Sequence, residues 1–162
     1  MMNMSIEAAY FQMEVFMATV ATILETKGNA VYCVSPNNTI LDALKLMAEK
    51  GIGAVLVMEG DKVHGIFSER DYARRGTLQG NPVTTPIKDV MTQKVFYVGP
   101  DQSAETCMAQ MINKHIRHLP VVKKGKVIGV ISIGDVVSAI IKDEKSLIAG
   151  LENYILGRDL KQ

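Results

Sequence analysis

A chain of 162 residues with a formal net charge of +1 is one ordinary domain or two very small ones sharing a core, and it carries no extended field for nucleic acid or anionic lipid. Its 48% apolar and 22% charged residues are near the averages of globular proteins. No apolar run approaches the roughly 20 residues that cross a bilayer, and Glu7 and Glu14 precede the first cation, Lys27, so neither export nor a membrane span is expected and the cytoplasm is the expected compartment.

The first 18 residues read as an N-terminal extension, helical and amphipathic from Ser5 to Met17. Residues 19–80 follow as a first repeat. Within it Val31 to Val34 is a short strand ended by Ser35-Pro36, and Thr39 caps a helix whose Ile40, Ala43, Leu44 and Met47 form one apolar stripe. Gly51 ends that helix. The apolar run Ala54 to Met58 reads as a strand buried on both faces, and Glu59-Gly60-Asp61 turns it into the strand Val63 to Phe67. A closing helix starts at Arg70. After a linker, 81–85, residues 86–143 repeat the order: strand Val95 to Val98, helix Ser103 to Lys114, strand Leu119 to Val122, a turn at Lys123-Lys124-Gly125, strand Val127 to Ile131, and a helix from Asp135. Residues 144–162 read as a helical C-terminal extension, part of an apolar helix from Val136 to Ile155.

The repetition is visible in the residues themselves. Pro36 and Pro100 stand 64 apart (100 − 36), and the same gapless offset pairs Val34 with Val98, Met47 with Met111, Val57 with Val121, Gly65 with Gly129, Ser68 with Ser132, and Asp71 with Asp135. Upstream, Val20 to Leu24 matches Ile87 to Met91 at an offset of 67 (87 − 20), so the first copy carries three extra residues near Lys27, Gly28 and Asn29. A unit of about 60 residues buries little core alone. The expected fold is therefore α+β: two βαββα repeats packed about a pseudo-twofold axis, each with a small three-stranded sheet and two helices.

The chemistry concentrates in Gly65-Ile66-Phe67-Ser68-Glu69-Arg70-Asp71 and its second copy, Gly129-Val130-Ile131-Ser132-Ile133-Gly134-Asp135. A single Ser-x-x-Asp is an ordinary helix-capping pattern. Two copies at matched positions invite more: a helix N-terminus with a serine hydroxyl can receive a phosphate, and a carboxylate can accept from both vicinal hydroxyls of a ribose. With Asp89-Val90-Met91-Thr92 opening the second copy, the pattern resembles a cystathionine β-synthase (CBS) domain pair, or Bateman module, from Thr19 to Ile141.

That resemblance implies clefts that bind AMP, ADP, ATP, NAD or S-adenosylmethionine, and assembly into dimers. It also implies that the Ser-x-x-Asp of one repeat serves with early-strand and second-strand residues of the other. One ligand set is then Ser68 and Asp71 with Gly99, Gln102, Ala104, Arg117, His118 and Pro120, and the second is Ser132 and Asp135 with Ser35, Asn38, Ile40, Gly53 and Ala54. The first is richer in cations, since Arg70, Arg74 and Arg75 join Arg117, and a guanidinium fork suits phosphate. For Arg74-Arg75 a solvated helix face is the plain alternative.

His115 and His118 lack the Cys/His/Asp company of a metal site, so no metal is expected. Met47, Met108 and Met111 fall on core-facing helical stripes, and Cys33 and Cys107 read as buried reduced thiols. No nucleophile, base and orienting group can be assembled, so no enzyme is expected. The reading is a regulatory module that senses an adenosine nucleotide, AMP first, acting as a homodimer on an unknown effector protein in trans. The alternative is a ligand-free dimerisation scaffold.

Overall fold

The computed structural model describes residues 17–156. All but Met17 and Ala18 of the expected N-terminal extension, and residues 157–162 of the C-terminal one, lie outside the described residues. The elements in chain order are α1 (Val20–Lys27), β1 (Cys33–Val34), α2 (Ile40–Lys50), β2 (Ala54–Glu59), β3 (Lys62–Ser68), α3 (Glu69–Asp71), α4 (Ala104–Lys114), β4 (His118–Lys123), β5 (Lys126–Ser132) and α5 (Ile133–Ile155). A π-helical stretch, Tyr72–Thr77, continues α3, and a 3-10 turn covers Ile87–Asp89. The described residues form two compact units, which do not coincide with the two sequence repeats.

One unit holds residues 29–97 and 122–130. Its sheet runs β1-β2-β3, with β1 parallel and β3 antiparallel to β2. The apolar run of β2 needs cover on both faces, and four of its six residues are buried. Phe67, fully buried at the end of β3, packs with Val34, Ile40, Ala43, Met47, Val55, Val57, Ile87, Val90 and Met91. The α2 boundaries are set locally. Thr39 accepts from the Asp42 N–H while Asp42 accepts from the Thr39 N–H, and Gly51 closes the helix at φ 63°, where a Cβ is disfavoured.

The other unit holds residues 17–28, 98–121 and 131–156. Here α5 packs on α4 and on α1. The buried apolar residues are Val20, Ile23, Leu24, Val98, Ala104, Cys107, Met111, Leu119, Val121, Ile131 and Val136. Three hydrogen bonds explain why the opening segment belongs here: Val20 N–H donates to Gln102 O (2.9 Å), Ala21 N–H to Pro100 O (2.9 Å), and Ala104 N–H to Ala18 O (2.8 Å). The same three bonds recur in the first unit, from Ile87 N–H to Asn38 O (2.7 Å), Lys88 N–H to Pro36 O (3.1 Å), and Ile40 N–H to Thr85 O (3.0 Å). Each opening segment thus docks on the loop of the other repeat.

Three expectations need correction. Repeat 2 has no strand at Val95–Val98, only a parallel bridge between Val98 and Val121, and its sheet is the two-stranded β4-β5. The cause is Pro120: its counterpart Leu56 donates its N–H to Tyr32 O at 3.1 Å, and proline has no such donor. The closing helix of repeat 1 is π-helical from Tyr72 to Thr77, a wider turn in which Gly76 lies under the Tyr72 ring and its carbonyl accepts from the Asn81 N–H, five residues on, at 2.9 Å. Cys33 is exposed because β1 turns it away from the core that buries Val34, whereas Cys107 is buried as expected and burial pushes its thiol pKa up.

Candidate ligand-binding turns

Both Ser-x-x-Asp strings sit where a strand passes into a helix, and both are capping boxes. Asp71 Oδ2 accepts from the Ser68 N–H and from Ser68 Oγ, each at 2.9 Å, while Ser68 Oγ accepts from the Asp71 N–H at 3.2 Å. Asp135 Oδ2 accepts from the Ser132 N–H at 2.8 Å, and Ser132 Oγ accepts from the Asp135 N–H at 3.2 Å. The first helical N–H is also engaged in each turn: Glu69 N–H donates to Gly53 O (3.0 Å) and Ile133 N–H to Arg117 O (2.8 Å). Two donors that an anion would seek at each helix start are thus already bonded to protein. The cap fixes each half-buried carboxylate in one orientation.

The two carboxylates differ in their third partner. Thr92 Oγ1 donates to Asp71 Oδ1 at 2.9 Å, so both oxygens of Asp71 are occupied. Thr92 is delivered by a two-way backbone pairing with Ile66, at 2.9 and 2.8 Å. Asp135 instead meets a cation, Lys27 Nζ, at 2.6 Å from Oδ2. Burial alone would raise the Asp135 pKa, but hydrogen bonds from Lys27 and from the Ser132 N–H and hydroxyl, with the ammonium charge, hold it below the ordinary carboxylate value.

A depressed folded-state pKa has a definite sign. Above about pH 4 the contribution of Asp135 is fully present, and it is lost as pH falls through the folded-state value, because the unfolded chain takes up the proton first. The melting temperature of Asp135→Asn, followed from pH 6 downward at low salt, is therefore expected to fall less steeply in acid than that of the unaltered protein. Parallel curves contradict the assignment.

The remaining predicted residues divide between the two units. In one, Ser35 is exposed and its N–H donates to Asn38 Oδ1 at 2.7 Å, Ile40 and Ala54 are buried, and Gly53 contributes its carbonyl to the Ser68 turn. Arg70 is half-buried and Arg74 is exposed. Arg75 is committed elsewhere: its Nη1 donates to Met91 O at 2.7 Å and to Val90 O at 3.4 Å, tying the π-helix to the segment that carries Thr92. In the other unit, Gly99 N–H donates to Gln102 Oε1 at 2.7 Å, the counterpart of the Ser35–Asn38 contact, and Ala104 is buried at the start of α4. Arg117 is exposed, His118 half-buried, and Pro120 buried with its carbonyl accepting from the Val98 N–H at 3.1 Å. Sequence reasoning missed Lys27 and Thr92. Thr92 had a signal in the Asp-Val-Met-Thr opening; Lys27 had only its place beside the three-residue insertion.

Among the described residues no group of three or more His, Cys, Asp or Glu side chains could hold a metal, and no helix is long and apolar enough to cross a membrane.

The family model described as the CBS domain matches the chain twice, over residues 23–76 and 87–142. A solved structure of a putative signal-transduction protein with CBS domains from Burkholderia ambifaria is 52% identical, with a TM-score of 0.75, covering 78% of this chain and 96% of that one. Two others share the fold at lower identity. A CBS domain protein from Pyrobaculum aerophilum, complexed with AMP, is 21% identical (TM-score 0.65, 73% of this chain and 89% of that one). The CBS domain pair of protein MJ0100, in complex with 5′-methylthioadenosine and S-adenosylmethionine, is 22% identical (TM-score 0.68, 79% and 98%).

Proposed function

Because the chain belongs to the CBS domain family, we propose that it is a regulatory module that binds an adenosine nucleotide and passes the bound state to a partner protein in trans. AMP is the first choice, with NAD, ADP, ATP and S-adenosylmethionine as the other candidates. The observation that carries this reading is the pair of Ser-x-x-Asp turns, whose half-buried carboxylates are held in one orientation by their own helix caps before any ribose arrives. The ribose hydroxyls are assigned to Asp71 and Asp135, and the phosphate to Arg70 and Arg117. AMP and methylthioadenosine in the complexes of fold relatives support the adenosine class, and no step of catalysis is proposed. A ligand of this kind acts by population shift, and only to the extent that it binds one arrangement better than another.

A second copy of this chain is the proposed oligomeric partner. Ile141, Ile148 and Leu151 are exposed along α5 at spacings of seven and three residues, which suits helix pairing. Sedimentation at micromolar concentration is expected to give a dimer, and a monomer contradicts it.

One observation favours the scaffold reading instead: both oxygens of Asp71 already have protein donors. Thermal unfolding with each candidate ligand separates the two. A ligand at 100 times its Kd stabilises by about 2.7 kcal/mol, which for a chain of this length is a rise of roughly 5–11 °C. If no adenine ligand moves the transition, the scaffold reading replaces the sensor.

A further inference from the structure

Lys27 lies outside every ligand set that the repeats suggest, yet it is the residue that distinguishes the two turns. The turns share their Ser–Asp geometry to within about a tenth of an ångström, with Ser N–H to Asp Oδ2 at 2.9 and 2.8 Å and Asp N–H to Ser Oγ at 3.2 Å in both. What differs is the outside donor. At Asp71 it is the neutral hydroxyl of Thr92, on Oδ1; at Asp135 it is an ammonium, on the same Oδ2 that completes the cap. Lys27 is the last residue of α1, and α1 is fixed to this unit through Thr19, Val20 and Ala21, so the ammonium is delivered by a docked element and not by a free tail.

We infer that Lys27 is a specificity-determining residue of the Ser132–Asp135 turn, selecting a phosphorylated nucleotide over the corresponding nucleoside. This rests on the adenosine reading above. A ribose that approaches Asp135 competes with an ammonium for the carboxylate, because one oxygen already accepts from the Ser132 N–H and from Lys27. The four-carbon stem of lysine lets Nζ leave the carboxylate without moving α1. A nucleotide compensates that departure, since its phosphate offers the ammonium a new anion, and the exchange replaces one charge-assisted hydrogen bond with another. A nucleoside leaves the ammonium with less than it had. The Asp71 turn imposes no such condition, because a hydroxyl carries no charge to be rematched. No covalent change is involved.

The test uses the full-length chain carrying Asp71→Asn, so that binding at the second turn is read alone, with and without Lys27→Met. Methionine keeps the length and apolar stem of lysine and removes the charge. Calorimetric titrations with AMP and with adenosine are compared. With Lys27 present, AMP is expected to bind more tightly than adenosine. Lys27→Met is expected to reduce AMP affinity about tenfold, the size of one charge-assisted hydrogen bond, while adenosine affinity stays level or rises. An unchanged ratio of AMP to adenosine affinity overturns the assignment. So does a protein in which Asp71→Asn removes all binding that the unaltered chain shows, since the second turn then takes no ligand. If the unaltered chain binds neither compound, the adenosine reading fails, and this inference with it. Melting curves of the variants without ligand confirm that the fold is retained.

Discussion

Replacing Phe67 with alanine is expected to cost about 3–5 kcal/mol, which lowers the melting temperature by roughly 6–20 °C for a chain of this length. The ring is fully buried at the end of β3 in one core cluster with residues from β1, α2, β2 and the 87–91 segment, so its removal leaves a void in the centre of this unit's core. Domains of this kind have about 5–15 kcal/mol in total, so the loss is a large share of the stability. Phe67 also immediately precedes Ser68, so the cavity opens beneath the first turn and AMP stabilisation should fall with it. Thermal denaturation followed by circular dichroism reads the loss. A drop of less than 1 °C contradicts the core described above.

Gly65→Val is expected to produce the second large effect, for a different reason. A Cβ at this position meets Met91 Sδ and the Thr92 carbonyl oxygen, both at 2.7 Å. The backbone oxygen cannot swing aside as a side chain can. The variant must therefore separate Ile66 from Thr92, breaking the two-way backbone pair that holds Thr92 on Asp71. Overpacking alone costs about 1–3 kcal/mol, and the freed Asp71 Oδ1 loses its donor in addition. The glycine that opens each Gly-h-h-Ser-x-x-Asp string thus acts, in the first copy, as the point of closest approach between the turn and the segment that buttresses it. The expected result is a melting temperature lower by about 2–12 °C together with a weaker response to AMP. A protein that melts at the same temperature and responds equally shows that Thr92 is not held there.

Local signals were legible in the sequence and long-range ones were not. The ends of α2 follow from Thr39 and Gly51, because capping is chemistry between residues three or four apart. The duplicated Ser-x-x-Asp turns were legible for the same reason, and in the structure both are helix caps. The missing strand of repeat 2 was encoded in Pro120, but its meaning depends on which segment runs beside it, and that segment lies more than 20 residues earlier in the chain, where Val98 bridges Val121. The exchange of opening segments has no local signature: Val20 and Ile87 look alike in sequence, and only the hydrogen bonds to Gln102 and Asn38 show which repeat each one serves. Arg75 illustrates the limit for the site itself. A guanidinium near a suspected phosphate site suggests ligand contact, yet the carbonyls of Val90 and Met91 give it the same donors' satisfaction from within. Lys27 fell in the three residues that break the repeat register, where comparison of the two copies has nothing to align.

The central claim is that an adenosine nucleotide is held by the Ser-x-x-Asp carboxylates, and calorimetric titration of AMP into the unaltered protein and into the Asp71→Asn, Asp135→Asn double variant tests it most directly. Asparagine is chosen over alanine because Asp71 also caps its helix, and loss of that cap alone costs about 1 kcal/mol; the amide oxygen can still accept from the Ser68 and Ser132 N–H groups. Saturable binding to the unaltered chain, lost in the double variant while its melting temperature stays within a few degrees, is the predicted result. Equal AMP affinity in both proteins, or no binding to either, contradicts it.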